Sequence, residues 1–121
     1  MKLNKMILPI ISLVIALSCQ DVENMKHIQG KWKCVQWSVA EDQDANNSQD
    51  VHFTFLEDKT YSYTNGGMVE KGTYKIEGGN LYTTPENQLE MSVKLEKLTA
   101  DSMIFQMSRG GMPETMTLIK E

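Results

Sequence analysis

Four methionines near the C-terminus, Met103, Met107, Met112 and Met116, carry the softest donor atoms in this chain, and thioether sulfur suits Cu(I). Met103, Met107 and Met116 share the parity of their apolar neighbours, however, and filling an irregular core is the commoner use of methionine. A Met-lined cavity for apolar ligands therefore ranks above copper. Asp42-Gln43-Asp44-Ala45-Asn46 has the alternate-oxygen spacing of a calcium loop. Asn47 stands where the turn glycine belongs and Phe53 where a bidentate Glu would close the site, so a plain acidic loop competes. His27 falls in a polar lead-in and His52 on an outward parity, and neither is patterned beside a serine, a cysteine or a metal partner. The carboxylates are expected in turns and on outward parities. Glycines fall in turns and none opens a helix, which excludes a phosphate loop. No catalytic residue, metal or cofactor is assigned, and the chain is not expected to be an enzyme.

The remaining chemistry belongs to the two cysteines. Lys2 and Lys5 precede an apolar run, Met6 to Leu17, and Ala16-Leu17-Ser18 leads into Cys19. The run is short of the roughly 18 apolar residues that cross a bilayer and reads as a secretion signal. A cysteine after small residues at its end resembles the lipobox of bacterial lipoproteins, in which the thiol is diacylated and the chain is cut before it. Ser18 fits that pattern; Ala16 and Leu17 depart from it, since the usual order puts Leu three residues before the cysteine. A plain secretory peptide cut nearby is the alternative. Cys34 is the other cysteine. A Cys19 to Cys34 disulfide needs Cα atoms within about 7 Å; with Cys19 acylated, Cys34 becomes a buried thiol acting as a small hydrophobe. The expected organisation is a signal peptide over 1–18, an acylated tether over 19–29 and one folded domain over 30–121.

Charge narrows the partners. The whole chain carries −4, and removing Lys2 and Lys5 leaves 10 basic residues against 16 acidic ones. With no basic stripe to neutralise phosphates, nucleic acid is not an expected partner.

What must position any site is a run of short strands. Val22, Met25 and Ile28 recur every three residues, predicting a short helix capped by Asp21 and ending at Gly30. Beyond it, period-two alternation predicts strands over Trp32 to Val39, Val51 to Leu56, Thr60 to Thr64, Val69 to Glu77, Leu81 to Thr84, Met91 to Leu98, Ser102 to Ser108 and Thr115 to Lys120. Asn65-Gly66-Gly67 and Gly78-Gly79-Asn80 supply tight turns. Eight short strands paired in sequence order form an all-β, up-and-down antiparallel barrel. Parity turns Phe53, Phe55, Tyr61, Tyr63, Tyr74, Ile76, Met91, Val93, Leu95, Met103, Phe105, Met107, Met116 and Leu118 inward. In the first strand, Trp32 with Cys34 and Val35 with Trp37 are rival inward pairs.

These residues carry a resemblance. Gly30-Lys31-Trp32 before the meander, the hairpin from Phe53 to Tyr61, Gly72-Thr73-Tyr74-Lys75-Ile76 and the late turn between Leu98 and Ile104 resemble the small lipocalin-like domains found as lipoproteins in Gram-negative bacteria. The resemblance implies that Trp32 plugs the closed end. On this layout we expect a small apolar ligand, lined by Trp32, Phe55, Tyr63, Tyr74, Met103 and Phe105, with the loop from Ala40 to Asp50 as a lid and Gly110-Gly111 flexing at the same rim. The domain is shorter than ligand-carrying lipocalins, so a solid barrel that meets an envelope protein partner is the rival function. Localisation follows as the cell envelope, lipid-anchored at the outer membrane on its periplasmic or surface face. Gln20, Asp21 and Glu23 resemble an acidic surface-export signal, and a solvated tether would look the same. Asp101-Ser102-Met103 resembles an O-glycosylation acceptor, and a β-turn accounts equally well for Asp-Ser.

Overall fold

A computed structural model of the chain describes residues 19–39 and 50–121. The expected signal segment, the acidic Asp42 to Asn46 loop and most of the expected lid lie outside the described residues. A helix, α1 (19–28), leads into eight strands. They are β1 (Gly30–Val39), β2 (Val51–Phe55), β3 (Thr60–Asn65), β4 (Met68–Glu77), β5 (Asn80–Pro85), β6 (Met91–Leu98), β7 (Ser102–Arg109) and β8 (Met112–Lys120). Each pairs antiparallel with the next, and β8 returns to β1 to close the barrel. Asp21 lies inside α1 rather than ahead of its first turn.

Local chemistry explains the short connections. Between β2 and β3, the carboxylate of Asp58 accepts from the backbone N–H of Thr60 at 3.0 Å and from its hydroxyl at 2.6 Å. These bonds hold the Asp58 carboxyl below its ordinary range. Gly78 and Gly79 both take positive φ, 57° and 82°, which a two-residue hairpin turn between twisted strands requires.

Two bulges set the inner surface. Pairing between β1 and β8 slips between Cys34 and Gln36, so Val35 is an extra residue and is 45% exposed. Trp32, Cys34 and Trp37 therefore all point inward, and the rivalry between the two parities dissolves. A second slip between Leu95 and Lys97 does the same for β6, bringing both Leu95 and Leu98 against the core.

The two poles differ. At the closed pole Ile28 of α1, fully buried, seals the interior above Trp32. The Trp32 indole Nε1 donates to the carbonyl of Ile28 at 2.7 Å, and Lys120 Nζ donates to the carbonyls of His27 and Gln29. Those carbonyls end a helix and have no partner within it, so a lysine there satisfies them and suits the negative end of its dipole. Phe55, Tyr74 and Met103 fill the barrel at this level; the Phe55 and Tyr74 rings meet edge to face at 4.9 Å, and the Tyr74 hydroxyl donates to the carbonyl of Leu56 at 2.7 Å.

Candidate functional site

The interior is not filled to the open pole. A cavity of about 120 Å³ lies between the side chains of β2 to β8. Its apolar wall comprises Phe53, Leu81, Met91, Val93, Phe105, Met107 and Met116, with the Tyr63 ring beside them. Phe53 organises the aromatic part: its ring lies 4.8 Å from Tyr63 and meets Phe105 edge-on at 5.9 Å.

The polar part is confined to three neighbouring strands. Tyr61 on β3, Glu70 on β4 and Thr83 on β5 line one side of the cavity. The Tyr61 hydroxyl donates to Glu70 Oε2 at 2.8 Å. Burial, with the Glu70 bond and charge added, pushes the Tyr61 hydroxyl well above the ordinary phenol range. At the same pole a second carboxylate, Glu114, is 5% exposed and accepts from Trp37 Nε1 at 2.8 Å.

Glu70 and Glu114 correct the expectation that the carboxylates sit in turns and on outward parities. Glu70 belongs to the inward series Glu70, Gly72, Tyr74, Ile76, so the parity of β4 already contained it. Glu114 escaped because β8 begins at Met112, three residues before its expected start.

Of the six residues expected to line a ligand site, Tyr63 and Phe105 border the cavity. Trp32, Phe55, Tyr74 and Met103 lie instead in the packed layers toward the closed pole. Among the four C-terminal methionines, Met107 and Met116 reach the cavity, Met103 is fully buried and Met112 is half exposed. Cys34 Sγ is buried against the barrel wall, donating to the carbonyl of Gln36 at 3.4 Å, and burial pushes its thiol up to about 11. Cys19 is exposed on α1, and both thiols are free. Ser102 opens β7 directly after the turn from β6, and its carbonyl accepts from the Thr99 N–H at 2.9 Å. Among the described residues no three His, Cys, Asp or Glu side chains gather as a metal site, and no helix is long and apolar enough to cross a membrane.

A larger recess, about 480 Å³, lies on the outside of β3 and β4 beside Leu56, Thr60, Ser62, Lys71 and Thr73. Size does not make it the better site: it is an open recess on the outer face and not a space enclosed by the barrel.

The geometry has counterparts among solved structures. A lipocalin-like protein from Bacteroides uniformis is 17% identical with a TM-score of 0.61, the match covering 78% of this chain and 99% of that one. An uncharacterized protein from Bacteroides eggerthii is 14% identical with a TM-score of 0.59 over the same shares. At these identities the likeness is one of fold. No curated protein matches the chain. The model of the lipocalin-like domain family matches residues 28–105, from the residue that seals the closed pole to the aromatic edge of the cavity, and the chain belongs to that family.

Proposed function

We propose that this protein is a lipid-anchored protein of the cell envelope, held through Cys19, whose barrel carries a small, mainly apolar molecule at its open pole. The carrying observation is the cavity itself: an unfilled space among apolar side chains, with a few polar groups gathered on one wall, which is the usual make-up of a small-molecule site. Its volume is below the roughly 300 Å³ of common ligand pockets. Met91, Met107 and Met116 line it, and flexible thioether side chains can repack around a guest. The exposed position of Cys19 on α1 supports the anchor, since the thiol is open to modification.

One observation favours a second reading, an envelope module that meets another protein. Met68, Val69, Leu89, Met91 and Met112, all about half exposed or more, surround the open pole. Native mass spectrometry of the protein purified from its own host separates the two. A co-purifying small mass, and a change in tryptophan emission on adding an apolar dye, are expected for the carrier. Absence of both would move the function to the apolar rim. Fatty-acid analogue labelling tests the anchor, and full labelling of a Cys19→Ala variant would remove it.

A further inference from the structure

The cavity contains a carboxylate whose charge is left over. Glu70 Oε2 takes the Tyr61 hydroxyl, but among the described residues Glu70 forms no ion pair, and its other oxygen accepts no hydrogen bond. Glu70 is only partly buried, beside Tyr61 and Thr83, so its second oxygen is left to water, and a cation whose N–H donors displaced that water would form a charge-assisted pair with it. Tyr61 is not that cation. Its hydroxyl donates to Glu70 at 2.8 Å and fixes where the carboxylate stands, with Thr83 lining the same side of the cavity. Opposite lie Val93, Phe105 and Met116, which offer only hydrocarbon and thioether surface.

We propose that the cavity takes a small organic amine, its ammonium pairing with Glu70 and its hydrocarbon body lying against the Val93, Phe105 and Met116 wall. This rests on the carrier reading above and narrows it. Fatty acids and other carboxylates are disfavoured, because their head groups would meet Glu70 and, at the same pole, Glu114. Size limits the guest to about one ring: an apolar cavity of about 150 Å³ accommodates benzene, and this one is about 120 Å³ before its methionines move.

Titrating the purified chain with four probes of matched shape, benzylamine, benzyl alcohol, toluene and benzoate, tests the proposal by calorimetry or NMR shifts. Benzylamine is expected to bind about tenfold or more tighter than toluene or benzyl alcohol, as a charge-assisted hydrogen bond in place of a neutral contact implies. Benzoate is expected to bind weakest. Glu70→Gln, which keeps an acceptor for Tyr61, is expected to bring benzylamine down to the level of benzyl alcohol. The ranking in the unaltered chain decides the matter even where that variant fails to fold. Equal binding of toluene and benzylamine, or a preference for benzoate, overturns the amine assignment and leaves the carrier reading standing; no binding by any probe overturns both.

Discussion

The ammonium of Lys120 stands 4.6 Å from the centre of the Trp32 ring, and the two residues are register partners where β8 meets β1. One side chain thus joins three parts of the molecule: the last strand, the plug of the closed pole and, through the carbonyls of His27 and Gln29, the end of α1. Burial lowers the Lys120 pKa from its ordinary value, and the two carbonyls and the ring face offset that desolvation.

Lys120→Met keeps the aliphatic stem but removes both hydrogen bonds and the charge over Trp32. We expect a loss of about 1–3 kcal/mol in urea unfolding, and faster amide exchange confined to residues 19–28 and their contacts. Unchanged exchange in α1 would show that the helix docks through Ile28 and Met25 alone.

Gly72 is predicted to be intolerant of any side chain. A Cβ placed there would lie 2.1 Å from the carbonyl oxygen of Thr84 and 2.9 Å from Cα of Pro85, so β4 and β5 would have to separate at the open-pole end of their pairing, where Gly72 faces Pro85. Gly72→Ala should cost about 1–3 kcal/mol or more. Gly67→Ala is the control: nothing lies within 4 Å and its φ is not positive, so the change should stay within about 0.5 kcal/mol. Similar effects at the two positions would refute the close approach.

Alkali should unfold the barrel early. Burial raises the Cys34 thiol from 9.0 to about 11 and the Tyr74 hydroxyl from 10.0 to about 12, and it raises Tyr61 further. The native state therefore holds protons that the unfolded chain has released, and stability present in full below pH 9 is lost between about pH 9 and 12. Lys120 acts in the opposite sense, because its lowered pKa makes the native state release its proton first. For Cys34 the loss is roughly 2–3 kcal/mol by pH 11. Urea titrations at pH 8, 9, 10 and 11, with and without Cys34→Ala, read this out: the variant should show the shallower decline, and parallel curves would mean that Cys34 titrates alike in both states.

Period-two alternation made the strands and their order legible, because each strand keeps one face dry, as Phe53 and Phe55 or Tyr74 and Ile76 do. The bulge at Val35 was not legible: a single extra residue shifts parity without changing composition, so Trp32 and Trp37 looked like competitors for one face. The cavity was harder still. All six expected lining residues were inward-facing, but parity says nothing about which layer of a barrel is left unfilled. That depends on α1 and Trp32 closing one pole and on Trp32, Phe55 and Met103 packing beneath it. Glu70 could have been found by carrying the β4 parity back from Tyr74. Glu114 required knowing that β8 continues past Pro113.

The helix also fixes a direction. Cys19 begins the described part of α1 and Ile28 ends it at the closed pole, with about 13–14 Å of helix between them at about 1.5 Å per residue. If the Cys19 thiol bears a lipid, the barrel hangs from the bilayer by its base and its mouth opens toward the aqueous compartment. Guests would then enter from solution or from a facing surface, and the membrane holding the protein would be its mooring rather than its source of cargo.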